Sequence, residues 1–173
     1  MTAHLVLVGM MGAGKTTIGR RVANLLGRPF VDADEAFVAK FGQTIGEVFE
    51  RDGEGAFRAM ESKLLHDLLT VAEPMLIAAG GGAVISEANR TLLSKPDVHV
   101  VYLHAEPAFL ASRAEARPHR PLLADADVET TIGRLFGERE AWYRQVADDI
   151  VDISMGSKKD VAAHVAALVT AAG

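Results

Sequence analysis

None of the 173 residues is cysteine, so disulfides, thiolate metal sites and cysteine nucleophiles are all excluded. The six histidines show no H-E-x-x-H or similar spacing, which argues against a histidine-based hydrolytic metal centre and leaves them as scattered structural or surface residues. Basic residues are not in excess. Eighteen against 23 acidic ones give a net charge of −5, the wrong sign for a nucleic-acid-binding face. A small anionic ligand stays open, because it needs only a few well-placed arginines. Long apolar runs are missing too. Residues 4–8, HLVLV, are too few to span a membrane, no basic region precedes them and no small-residue cleavage site follows, so they read as a buried strand rather than a signal peptide. A cytoplasmic location without membrane contact is the expectation. There is no internal repeat and no low-complexity segment.

What is present is the composition of a soluble globular protein, 49% apolar and 24% charged, in about one domain's length of chain. Short apolar runs alternate with longer helical patterns, the signature of β-α units around a parallel sheet. Strands are expected at 4–8, 29–32, 75–79, 98–103 and 149–153, each rich in Val, Ile and Leu without polar alternation. Helices are expected at 15–26, 34–40, 44–51, 54–71, 86–93, 106–115, 128–146 and 158–171. Gly27 sits where the first helix should stop, and Ser86 and Ser157 suit helix N-caps. Residues 117–125, RPHRPLLAD, cannot continue either flanking helix; they read as a lid or as an ordinary connector.

Gly9-Met10-Met11-Gly12-Ala13-Gly14-Lys15-Thr16 fits G-x-x-x-x-G-K-[ST] at every defined position, between an apolar strand and an amphipathic helix. The glycines let successive N–H groups face phosphate oxygens, and the helix N-terminus adds a favourable dipole. Lys15 supplies a point charge for the β- and γ-phosphates, and the Thr16 hydroxyl is a Mg²⁺ ligand type. The loop alone does not separate kinase, GTPase and motor ATPase. Two further absences help: no Asn-Lys-x-Asp segment reads guanine, and the strand at 75–79 ends in Gly80-Gly81-Gly82 where many such proteins place a magnesium-binding acid.

Asp32 and Asp34, at the end of the second strand, put two carboxylates at the edge where ligands of parallel sheets gather. Asp32 suits Mg²⁺ through a water and Asp34 a substrate hydroxyl; the competing reading is that either caps the next helix. Arg58 and Glu61 are spaced for a simple surface pair, and Arg139 taken alone reads as a solvated helix residue one turn from Tyr143. Gly80, Gly81 and Gly82 allow a backbone to approach a ligand closely.

Taken in order, GxxGxGKT, D-x-D, GE-x-x-FR-x-x-E, GGG, R-P-L-L and ER-x-x-x-Y-x-x-x-AD resemble the shikimate kinase family across nearly the whole chain. The resemblance implies a three-layer α/β/α P-loop kinase fold, related to nucleoside monophosphate kinases, with a five-stranded parallel sheet and a mobile lid. Residues 1–173 would form one kinase domain, with the lid near 113–125 and the substrate-binding segment near 32–61. It also implies transfer of a phosphoryl group from ATP, with Mg²⁺, to the 3-hydroxyl of shikimate, giving 3-phosphoshikimate on the route to aromatic amino acids. Carried over by position, ATP meets Gly12, Ala13, Gly14, Lys15, Thr16, Thr17, Arg113 and Arg120. Shikimate meets Asp34, Arg58, Gly80, Gly81, Gly82 and Arg139, with Phe49 and Phe57 near its ring; Thr16 and Asp32 hold the metal. Residues 154–157 fall where a loop contacts the base. Lys15, Asp34 and Arg120 are the implied catalytic set. Arg120 takes the lid position because only it is followed by Pro-Leu-Leu, which leaves Arg117 an extra charge. Ala141-Trp142 stands where the family usually shows Pro-Leu.

Gluconate kinase, with another polyhydroxy acid as acceptor, is the rival within the fold class, and a slow ATP-hydrolysing switch is the rival outside it. FR-x-x-E, GGG and RPLL favour shikimate, and the arginine set argues against a switch. A monomer is expected.

Overall fold

The computed structural model describes residues 3–115 and 127–171. The order is β1 (His4–Val8), α1 (Lys15–Leu26), β2 (Phe30–Asp32), α2 (Ala33–Phe41), α3 (Ile45–Leu69), β3 (Leu76–Ala78), α4 (Glu87–Leu93), β4 (Val98–His104), α5 (Pro107–Glu115), α6 (Val128–Val146), β5 (Asp149–Asp152) and α7 (Lys158–Ala171), with one 3-10 turn at Ile153–Met155. The five strands form one sheet in the order β2-β3-β1-β4-β5, and every pairing is parallel. All five residues of β1 are buried, so helices cover both faces of the sheet, as its unalternating apolar sequence requires. Of the expected lid, 113–115 end α5, and 116–125 with Arg117 and Arg120 fall outside the described residues.

Sequence signals set most boundaries. Gly27 ends α1 at φ 64°, and its N–H reaches the carbonyls of Ala23 and Asn24. Ser86 caps α4 by accepting from Asn89 N, and Ser157 and Asp160 cap α7 reciprocally. The two helices expected at 44–51 and 54–71 are one element, α3, broken at Gly53 with φ 82° and ψ 173°. Its start is a capping box that pairs Thr44 with Glu47.

A main core surrounds the sheet. A smaller cluster of Phe37, Val48, Phe57 and Leu64 lies under α2 and α3, and among the described residues only Leu68 packs against both. Phe37, Phe41, Phe57 and Phe49 form a run of tilted rings there, with neighbouring centroids 4.8–5.2 Å apart. Among the described residues, no helix is long and apolar enough to cross a membrane.

Candidate active site

The phosphate loop joins β1 to α1 at the carboxyl edge of the sheet, and neighbouring backbone crowds it into shape. Gly9 (φ 146°) and Gly12 (φ 85°) leave no room for a Cβ, which would lie 2.6 Å from the Leu103 carbonyl oxygen and 2.7 Å from that of Leu110. Ala13, fully buried, closes a turn through its N–H to the Met10 carbonyl at 3.2 Å. α1 begins after Gly14 with no side-chain cap, so the first N–H groups, including those of Thr16 and Thr17, stay available to phosphate oxygens. Lys15 Nζ donates to the carbonyls of Gly9 (2.7 Å) and Met10 (3.0 Å), which holds the ammonium at the mouth of the loop.

Thr16 Oγ1 donates to Asp32 Oδ2 at 2.5 Å, bringing the two expected metal-site residues together from different strand ends. Asp32 is also the helix cap left open by the sequence: its Oδ1 accepts from the N–H groups of Asp34 and Glu35. Asp34 therefore sits inside the first turn of α2 rather than capping it. Arg113 lies across the loop, its guanidinium carbon 4.5 Å above the Phe109 ring. Its Nη1 is buried without a partner, and a Cβ built on Gly14 would lie 3.7 Å from it.

The second group of residues comes from α2, α3, α6 and the turn after β3. Asp34, Phe57, Glu61 and Gly80 line one hollow. Arg58 and Glu61 do pair, at 2.8 Å, but the pair is largely buried rather than on the surface. Burial pushes the Glu61 carboxyl above its ordinary value; the Arg58 guanidinium pulls against that, the Asp34 carboxylate adds to it and Arg139 opposes it. Arg139 is 3% exposed, contrary to the solvated reading, and its Nε is buried with no hydrogen-bond partner, as is the Nε of Arg58. A legible signal was there: Ile132, Leu135, Arg139, Tyr143 and Val146 follow the helical repeat of the buried stripe of α6.

Gly80 and Gly82 make room for a particular neighbour rather than for an unusual φ. A Cβ on Gly80 would lie 2.7 Å from Glu61 Oε1, and one on Gly82 would land on the Arg58 guanidinium. A Cβ on Gly81 would lie 3.7 Å from Arg139 Nη1 and 3.6 Å from Met11 N, so here the acid-lined hollow adjoins the phosphate loop. Asp34, Arg58, Glu61, Gly80–Gly82 and Arg139 thus meet beside Lys15, Thr16 and Asp32.

Two groups escaped sequence reasoning, and Tyr143 stood in the family pattern without a role. Tyr143, fully buried, donates its hydroxyl to the Gly81 carbonyl and stacks on Tyr102 with centroids 5.0 Å apart. Burial raises its phenol to about 12, against the pull of Arg139. Tyr102 in turn donates to Glu140, which Arg144 pairs at 2.6 Å; burial first and Glu140 second raise the Tyr102 phenol. Asn89 and Arg90 of α4 hold the carbonyls of residues 83–85. The Asn-Arg pair following a glycine turn carries no general motif by which to single it out.

The shikimate kinase family model matches residues 11–170. A shikimate kinase of Halorhodospira halophila is 42% identical over 163 residues, 94% of this chain and 91% of that protein. A shikimate kinase from Acinetobacter baumannii, solved in complex with shikimate, superposes with a TM-score of 0.92 at 36% identity, covering 99% of this chain and 94% of that one. A gluconokinase from Sinorhizobium meliloti covers 98% of this chain and 96% of its own at a TM-score of 0.61 and 16% identity, a likeness of fold alone.

Proposed function

Since the chain belongs to the shikimate kinase family, we propose that it transfers the γ-phosphoryl group of ATP to the 3-hydroxyl of shikimate, giving 3-phosphoshikimate and ADP. The observation that carries this reading is Arg139: a buried guanidinium with an unpartnered Nε, beside Gly81 and the phosphate loop. A buried cation needs an anion, and a carboxylate accepting from the forks of Arg139 and Arg58 supplies one. The backbone of Gly80–Gly82 and the Asp34 carboxylate then face the ring hydroxyls, with Phe49 and Phe57 behind.

Lys15 leaves its two carbonyls for the β- and γ-phosphate oxygens, and the N–H groups of residues 12–17 cradle them. Thr16 and Asp32 form the hydroxyl-plus-carboxylate donor set of a magnesium site, and they would hold Mg²⁺ together with phosphate oxygens and water. The ion, when bound, neutralises charge between the β- and γ-phosphates. Asp34 orients the acceptor hydroxyl and takes its proton late, since a loose transition state demands little base. Arg113 offers a flat face to adenine, and Arg120 is assigned the charge that closes over the transferring group. The enzyme acts as a cytoplasmic monomer.

A coupled ADP-release assay with ATP and Mg²⁺, run in parallel with shikimate and gluconate, tests this. ADP release that depends on shikimate is expected. Dependence on gluconate, or release indifferent to either acid, overturns the assignment.

A further inference from the structure

Two neighbouring residues of α4 hold the backbone that follows the glycine turn. Arg90 Nη1 donates to the carbonyls of Val84 (2.7 Å) and Ile85 (2.9 Å). The preceding residue, Asn89, is 1% exposed and donates from Nδ2 to the Ala83 carbonyl at 2.9 Å. Three successive carbonyls after Gly82 are therefore fixed by one turn of α4. The other face of the Arg90 guanidinium lies on Trp142 of α6, its carbon 5.0 Å from the ring centroid. Its Nε is buried without a hydrogen-bond partner, so the group is held by one nitrogen and by its flat face.

Trp142 directly precedes Tyr143, whose hydroxyl takes the Gly81 carbonyl. One turn of α6 thus grasps the 81–85 segment twice: directly at Gly81, and through Arg90 at Val84 and Ile85. Arg139 stands one turn earlier on the same helix. Trp142, which also packs against the main core, occupies the position where the sequence departs from Pro-Leu.

We propose that Arg90 and Trp142 are positioning residues for the acceptor: their stack locks the glycine turn to α6 and so sets the separation of Gly81 and Arg139 that the substrate carboxylate spans. The proposal rests on shikimate being that acceptor. Neither residue belongs to the nucleotide site, so their loss falls on one substrate. A lysine at 90 can still reach the carbonyls with its ammonium, but it offers no planar face to the indole. A phenylalanine at 142 keeps a ring under the guanidinium.

The test is steady-state kinetics on R90A, R90K, W142L and W142F, alongside thermal unfolding. In R90A the shikimate KM should rise about tenfold while the ATP KM stays within about twofold. R90K and W142L should fall between R90A and the unsubstituted protein, and W142F should return the shikimate KM to within about threefold. Trp142 is the only tryptophan in the chain, so its emission reports the stack directly. Shikimate without nucleotide should shift that emission in the unsubstituted protein and not in R90A. Equal rises in both KM values, or a lowered Tm with the shikimate KM unchanged, overturn the proposal while leaving the substrate assignment intact. An unsubstituted protein that turns over ATP without shikimate dependence overturns the substrate assignment, and the positioning role with it.

Discussion

Arg58 Nη1 and Glu61 Oε2, one turn apart on α3, form an ion pair of 2.8 Å whose side chains are only 16% and 10% exposed. The same guanidinium occupies the space that a side chain on Gly82 would need, and Glu61 Oε1 lies where one on Gly80 would reach. The pair is therefore a wall of the proposed acceptor pocket. Its acid aims Arg58 at a place where a second, mobile carboxylate can join it.

Glu61 gives the fold a definite pH response. Burial holds its folded pKa above the unfolded one, so on the alkaline side of the ordinary carboxylate range the folded chain retains a proton that the unfolded chain has lost. This contribution to stability is greatest at low pH and declines as pH rises through the raised pKa. Glu61→Gln should flatten that decline, as read from chemical denaturation midpoints at a series of pH values. A profile unchanged from that of the unsubstituted protein would show that Glu61 is not the group responsible.

Gly82→Ala puts a methyl group onto the Arg58 guanidinium without straining the backbone, because the glycine does not have a positive φ. We expect the shikimate KM to rise at least about tenfold, with ATP binding retained. Isothermal titration with each ligand separately makes the comparison. Equal weakening of both would mean that the whole carboxyl edge had shifted.

Tyr143→Phe removes the donor that satisfies the part-buried Gly81 carbonyl. The cost in unfolding free energy should be about 1–3 kcal/mol. Because the phenol is raised to about 12, its ionisation should be absent from absorbance titrations below that range in the native protein. A tyrosinate signal from Tyr143 near pH 10 would mean that its environment is wetter than the structure shows.

Asp34→Asn keeps the shape of the hollow and removes its charge. It should bind ATP normally and lose roughly a hundredfold or more in kcat. Near-normal turnover would remove Asp34 from the catalytic set.

The frame was readable because its signals are local. Unalternating apolar runs give buried parallel strands, Gly27 with Pro29 just beyond it stops α1, and the phosphate loop declares itself by glycine spacing. Gly53 misled by one step, since its left-handed φ bends α3 without ending it. The acceptor site was readable as a set of residues but not as an arrangement. Arg58, Glu61 and Arg139 each look solvated from spacing alone, and only tertiary packing buries them. Arg139 had already given itself away by falling on the apolar stripe of α6. Asn89, Arg90 and Trp142 had no such signal, because what they hold is backbone.

Among the described residues, Leu68 alone packs against both hydrophobic clusters. The α2 and α3 side of the proposed acceptor site, with Asp34 and Arg58, therefore rests on a small core of its own, while Arg139, Gly80–Gly82 and the phosphate loop stand on the main one. Opening that small core exposes far less apolar surface than global unfolding does, so α2 and the first half of α3 should open at lower cost than the whole fold. Substitutions among Phe37, Phe41, Phe49 and Phe57 can therefore reshape acceptor preference without endangering the part of the molecule that grips the nucleotide.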